Sequence, residues 1–423
     1  MTATDVAARR PSRFAILWVD GFLWGIRIFA IIFILWGVLG SIVLTGQGEG
    51  LSGAAYRDLF VTGLAQGSMY GLIALGYSMV YGVLGFINFA HGEVFMSGAM
   101  VAYFAAEAFF EAGVWDSSPL LAITVTLLVA AFTSMTIAVL VERVAYRPLR
   151  GAPRLIPLIT SIGMSFFLQY TIRGLFGSGF LVYPQLPEWL RGEAFWGFQR
   201  VQLLVILIAA FSMVALYQFV ARTKTGRAMR AVAEDKEIAG LMGINVDRTI
   251  VTTFAVGGFM AGIAGMLWAL LFRQVFFFTG FLPGIKAFTA AVLGGIGNMA
   301  GAMLGGVSIG LFEALGPQVV LGGLRWGLAL PLLAAACVAI IAGIGLLRRQ
   351  AMSSLWWQAA LGAAALALAA IVIVPAWRGF DLAIVIPGLS QLKDVVAFTA
   401  LVLVLVFRPT GLLGERLAVE ERA

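Results

Sequence analysis

RTKTGRAMRAVAEDKEIAGLMGINVDR, residues 222–248, is an island of charge in a very hydrophobic chain. Arg222, Lys224, Arg227, Arg230, Lys236 and Arg248 lie in it with Glu234, Asp235, Glu237 and Asp247. Apolar runs long enough to cross a bilayer flank it at 201–220 and 250–271. Hydrocarbon offers no partner to so many charges, so the stretch lies on one aqueous face. Its basic excess places that face in the cytoplasm. Thr225 is expected to cap a helix that starts near Gly226 and Arg227, and Gly243 to end it through its tolerance of positive φ. Ile238, Leu241 and Met242 then make a small apolar patch among charges. Two readings stand side by side: a solvated loop obeying the positive-inside rule, or one short helix that docks a partner.

Composition supports the membrane reading. The 423 residues are 61% hydrophobic and only 12% charged, against about 25% charged in soluble domains. The net charge of +7 lies mostly in loops, so it reports orientation rather than nucleic-acid binding. One cysteine, Cys337, and one histidine, His91, are too few soft ligands for zinc. No metal or cofactor is expected in this chain, and no nucleophile–base pair marks a catalytic residue.

Moving outward from the island, Arg9, Arg10 and Arg13 precede an apolar run over 14–44 that is longer than the core of a cleaved signal. Its second part, 23–44, reads as a first span with the N-terminus inside. A second span over 59–81 carries Gly63, Gly67 and Gly71 at four-residue spacing, a smooth strip that admits a close neighbour. The rhythm breaks at 85–92 and resumes over 94–110. A span at 120–141 leads to a basic loop with Arg143, Arg147, Arg150 and Arg154, then 155–176 runs outward. The loop at 177–200 is external, with room for a short interfacial helix. Glycines at 294, 295, 297, 301, 305 and 306 indicate a tight turn between two segments of 281–316, which are full spans or a re-entrant pair. Gly258-x-x-x-Gly262 and Gly301-x-x-x-Gly305 permit close helix contact. Further spans are expected at 326–347, 355–374 and 392–407. The total is about twelve, uncertain by about two, with both termini cytoplasmic.

Polar residues inside spans are the candidates for the translocation path, because such groups are costly in hydrocarbon and usually face a cavity or the bundle interior. Gln66, Tyr70 and Tyr77 dot the second span. Asn88, His91 and Glu93 cluster at the helix break, where a half-helix N-terminus can face an anionic carboxylate. Against a path, Asn88 suits an N-cap, and His91 and Glu93 suit pairing with each other or with backbone. A third reading puts His91 near the cytoplasmic end among loops. Thr160, Ser161 and Ser165 read as hydrogen bonders within the bundle. Glu313 reads as solvated if it lies near an outer end.

Five stretches resemble the LivH-type permease subunit of branched-chain amino acid ABC importers, in the binding-protein-dependent permease family. They are GLIALGYSMVYGVLGFINFAHGEVFMSGA (71–99), VERVAYRPLRGAPRLIPLITSIGMSFFLQ (141–169), GRAMRAVAEDKEIAGLMGINVDR (226–248), KAFTAAVLGGIGNMAGAMLGG (286–306) and KDVVAFTALVLVLVFRPTGLLG (393–414). They follow the family's order over most of the chain. Residues 1–57 and about 320–388 depart from it, as an extra leading span and an inserted pair. The domain reading is therefore an extension at 1–57, a permease core at 58–320, an inserted pair of spans at 321–388, and a final span with a cytoplasmic tail at 389–423.

The resemblance implies an all-helical, type II-like importer bundle in a bacterial inner membrane. It implies a homologous second permease, two cytoplasmic ATPases and an extracytoplasmic solute-binding protein as partners. It also implies an ATPase-coupling helix within 222–248, carried by Thr225, Gly226, Arg227, Arg230, Glu234, Asp235, Ile238, Leu241, Met242 and Gly243. The chain's own residues agree: none of its four lysines follows a glycine, so no GxxxxGK[ST] phosphate loop is present. ATP and Mg are then used by the partner ATPase. Three other functions compete: a permease for urea or short amides, an ion-gradient-driven secondary transporter with His91 or Glu93 as its coupling group, and a channel or scaffold that needs no binding protein.

Overall fold

The computed structural model describes residues 30–322 (apart from 32, 33, 36, 49 and 154), 392–408 and 411–413. The expected spans at 326–347 and 355–374, Cys337, and most of the N-terminal run and the tail lie outside them. The chain divides into two compact units, Met1–Ser52 with Gly316–Asp394, and Gly53–Leu315 with Val395–Ala423. Of the first unit, the described residues include a short apolar helix, Gly37–Gly46.

The second unit is a helical bundle. Its elements are α1 (Gly53–Leu84), α2 (His91–Glu111), α3 (Pro119–Val141), α4 (Leu155–Phe176), α5 (Arg200–Arg222), α6 (Lys224–Glu234), α7 (Lys236–Leu241), α8 (Val246–Phe272), α9 (Phe281–Gly294), α10 (Met299–Gly316) and α11 (Lys393–Phe407). Among the described residues seven helices are long and apolar enough to cross a membrane. The chain is thus a multi-pass membrane protein. Among the described residues regular strand is confined to short pieces: β1 (Leu181–Val182), β2 (Glu193–Phe195), β3 (Phe198–Gln199) and β4 (Gln274–Val275). β1 pairs antiparallel with β4, so the loop before α5 and the end of α8 share one face. That loop also holds a single 3-10 turn, Glu188–Leu190.

Glycine seams set the packing. The expected smooth strip of α1 is filled by α10: Gly63 lies against Gly310 and Ala314, Gly67 against Val307, and Gly71 against Met303. Gly258 and Gly262 of α8 lie against Ala130, Ser134 and Ala138 of α3. Gly301 and Gly305 of α10 lie against Gly294 and Ala290 of α9. At most of these positions an added side chain would collide with the facing helix, so helices in lipid gain dispersion contact where side chains are smallest.

Two helices begin inside the bundle. α1 ends as Gly85 takes φ +78, and residues 85–90 turn back as irregular backbone before α2 starts. At that start His91 faces Gly76 of α1 and Gly257 of α8. Gly76 lies eight residues before Leu84, about 12 Å back along the helix. The choice left open at 281–316 resolves unevenly. α9 has 14 residues, about 21 Å, too short for a core of about 30 Å. α10, continued to Leu321, is long enough to cross. Gly280 and Gly284, at the start of α9, lie against Gly92. The N-termini of α2 and α9 therefore meet inside the protein, where irregular backbone is tolerated because protein surrounds it.

Candidate translocation centre and docking surface

The meeting point of α2 and α9 carries most of the polar residues expected to matter. Glu93 is 1% exposed, and its Oε1 accepts from Gln169 Nε2 at 2.7 Å and Ser165 Oγ at 3.3 Å, both on α4. His91 is 2% exposed and stands edge-on to Tyr77, ring centroids 4.9 Å apart. The expected His91–Glu93 pair is therefore not formed: each residue turns to a different helix. Nor does His91 lie among loops at a span end, since the chain re-enters before α2 begins. Tyr77 also packs on Phe288 of α9 at 6.0 Å. With Tyr81, Ile87 and Ala291 these rings line a small apolar recess with a cavity volume of only about 10 Å³.

Asn88 is not the N-cap of α2. Ala90 occupies that position without a side-chain bond. Asn88 Oδ1 instead accepts from Ala90 N at 3.1 Å and from Tyr146 Oη at 2.6 Å. It fixes the turn two residues on and ties it to the π-helical turn Glu142–Tyr146 after α3. Beside it, buried Glu142 binds Arg150, which also binds Asp247 at the start of α8.

Tyr70 and Tyr77 share a face of α1 but serve different clusters. Tyr70 Oη donates to Glu313 Oε2 at 3.0 Å, and Lys286 Nζ of α9 donates to Glu313 Oε1 at 2.9 Å. Glu313 is 4% exposed, which overturns its reading as a solvated residue. The carboxylate sits where α1, α9 and α10 converge, and its charge is balanced by Lys286 rather than by water. Lys286 escapes a reading by motif because it opens a matching stretch. The usable signal was a lysine and a glutamate in apolar runs, each too costly to leave unpaired. Gln66 is half-buried and joins neither cluster.

The charged island also differs from expectation. Thr223, not Thr225, caps the helix: its backbone is extended and its Oγ1 accepts from Gly226 N at 3.0 Å, whereas Thr225 lies in the first turn. The single helix is two. Asp235 breaks it with φ −151 and ψ 118, and its Oδ1 accepts from Glu237 N and Ile238 N, capping α7. An aspartate at that position competes for backbone donors more effectively as a cap than inside a helix. Gly243 ends α7 at φ +84, as its sequence position implied. α6 buries Gly226, Met229 and Val232, and Arg230 binds the Val220 carbonyl of α5. Lys236 Nζ donates to Leu84 O, the last carbonyl of α1, at 3.2 Å. Arg227 and Glu234 face solvent or lie at its margin. Ile238, Leu241 and Met242 are 59%, 87% and 79% exposed. A second pocket, with about 370 Å³ of empty space, lies between α1, α6 and α8; Ser78, Val83, Met229, Arg230 and Thr253 line part of it.

Comparison with known proteins agrees with this architecture. A branched-chain amino acid permease protein, BraD of Pseudomonas aeruginosa, is 37% identical over 369 residues, covering 85% of this chain and 96% of the relative. The LivH permease protein of Escherichia coli K12 is 43% identical over 258 residues, covering 60% and 83%. A probable LivH of Methanocaldococcus jannaschii is 27% identical over 254 residues, covering 58% and 76%. No solved structure matches the chain. The family model described as branched-chain amino acid transport system / permease component matches residues 59–333, and with these relatives it shows that the chain belongs to that permease family.

Proposed function

We propose that the chain is the transmembrane subunit of an ATP-binding-cassette importer. It passes branched-chain or related apolar amino acids, delivered by an extracytoplasmic solute-binding protein, across a bacterial inner membrane. It works beside a homologous second permease in a type II-like bundle of about twelve spans with both termini cytoplasmic. Two cytoplasmic ATPase subunits hydrolyse ATP with Mg. Family membership supports the solute class; an apolar patch left bare on a charged helix pair supports the coupling role.

That patch carries the proposal. Ile238 and Leu241 of α7 and Met242 just after it are exposed, with none of the described residues over them, in a segment too charged to enter hydrocarbon. A groove on an ATPase is the partner that covers them. Force arriving there has short routes inward. Lys236 holds the end of α1, which carries Tyr70 and Tyr77. Arg230 and the buried side of α6 hold the end of α5. Closure of the ATPases then shifts α1 and α5 as packed elements, a shear rather than a local unfolding. Such sliding suits the glycine seam between α1 and α10, and the recess at Tyr77 and Phe288 lies beside the helices that move.

Urea or short-amide transport and gradient-driven transport find less support. BraD of Pseudomonas aeruginosa and LivH of Escherichia coli, matched over 96% and 83% of their own lengths, are branched-chain amino acid permeases, and Glu93 Oε1 is engaged by Gln169 and Ser165. The test is uptake of labelled leucine into vesicles that hold the permeases, ATPases and binding protein, with ion gradients collapsed. Uptake is expected to require ATP and the binding protein. Uptake that persists without the ATPases, or that fails with ATP saturating once the gradient is removed, contradicts the proposal.

A further inference from the structure

The Lys286–Glu313 pair holds more charge than helix packing needs. Both side chains are buried, at 6% and 3% exposure, whereas Asp247 of the Arg147 and Arg150 pairs is 60% exposed. Contact between α9 and α10 is already supplied by the seam of Gly294, Gly301 and Gly305, and contact between α1 and α10 by Gly67, Gly71, Gly306 and Gly310. Taking two ions out of water costs several kcal/mol each, and well-packed apolar residues often hold such a site equally well. The pair therefore does something that packing does not require.

Its surroundings have a definite chemistry. Lys286 Nζ lies 5.8 Å from the centroid of the Tyr70 ring. Tyr70 lies 6.5 Å from Trp268, which packs edge-on to Phe95 at 6.1 Å. A cation, an anion with a hydroxyl donor, and an aromatic wall stand together on α1, α8, α9 and α10. A free amino acid with an apolar side chain presents the complementary set: a carboxylate, an ammonium and an aliphatic group. Lys286 and Glu313 pair with one another, an arrangement that keeps both buried charges partnered.

We infer that Lys286 and Glu313 form a zwitterion-exchange site for the imported amino acid. As the helices part, the ion pair opens. The solute carboxylate accepts from Lys286, its ammonium donates to Glu313 with Tyr70 alongside, and its aliphatic group rests on Trp268. Re-forming the pair behind the departing solute restores charge balance and expels it. No proton or covalent bond changes hands. The inference rests on the amino-acid reading above and adds the residues that read the backbone of the solute.

Two double variants test it in the complex with companion permease, ATPases and binding protein. K286M/E313M removes both charges of the pair while keeping bulk; K286E/E313K restores a pair of reversed order. The expected result is that K286M/E313M co-purifies with the ATPases like the unaltered chain but imports leucine at least tenfold more slowly, and that K286E/E313K regains part of the loss. Import by K286M/E313M within twofold of the unaltered complex overturns the inference. Failure of both variants to assemble assigns the pair to folding and overturns it as well. An unaltered complex that imports no amino acid instead contradicts the functional proposal itself, so the two failures are distinct.

Discussion

The interior polar centre and the α6–α7 surface handle awkward side chains in opposite ways. Inside, most groups that dislike hydrocarbon find partners within the chain: Glu93 Oε1 on Gln169 and Ser165, Asn88 on Tyr146, and Glu313 on Lys286 and Tyr70, while Glu93 Oε2 is buried without a hydrogen bond from the described residues. On the surface, groups that dislike water find none: Leu241 is 87% exposed. A folded chain satisfies most of its buried polar atoms because each failure costs about 1–3 kcal/mol, more for a charge. An apolar patch in water is tolerated when a partner covers it. The interior thus reports how the bundle is held, and the surface reports what it meets.

Substitutions sharpen that contrast by separating stability from function. The largest loss of stability is expected for Lys286→Met alone, which strands Glu313 as a buried charge; about 3–5 kcal/mol should appear as a lower unfolding midpoint of the purified protein. A midpoint unchanged from the parent would show that water reaches Glu313. Next, Gly262→Leu forces a side chain onto the backbone of Ala130 and Ala131; overpacking of about 1–3 kcal/mol is expected in the same assay. Asn88→Ala removes the acceptor of Tyr146 Oη and Ala90 N, with about 1–3 kcal/mol lost, and proteolysis at residues 85–90 should quicken. Thr223→Ala removes the α6 cap, for about 1 kcal/mol, and hydrogen exchange should rise at Gly226. Leu241→Asp with Met242→Asp should change stability least, within about 0.5 kcal/mol, yet reduce ATP-driven import by more than tenfold. A stability loss as large as that of Lys286→Met would erase the distinction between the two regions.

The same contrast explains what was legible in the sequence. Spans follow from long apolar runs, so the run at 155–176 is α4 to the residue, and the glycine spacing of 63, 67 and 71 announced a neighbour that proved to be α10. The charged island and its exposed patch followed from local composition. Partners of buried polar groups did not, because they are set by helix approach across large separations: 27 residues from Lys286 to Glu313 and 76 from Glu93 to Gln169. Local rules favoured Asn88 as a cap and His91 with Glu93 as a pair, and tertiary contacts to the turn after α3, to α4 and to α1 outweighed both. Within the island, Thr223 and Thr225 are equally good cap types, and the choice fell to where α5 ends. The depth at which α2 starts was likewise invisible to hydropathy, since a re-entrant turn and a surface loop have similar composition.

Protection of Leu241 tests the central claim most directly. In a Cys337→Ser background, Leu241→Cys in proteoliposomes offers a thiol at the most exposed position of the patch. Maleimide should label it rapidly in the permeases alone and at least tenfold more slowly once the ATPase subunits are bound, while a cysteine at exposed Arg191 on the opposite loop keeps its rate. Equal labelling of Leu241→Cys with and without the ATPases, in complexes shown to be assembled, would contradict the docking role of α7.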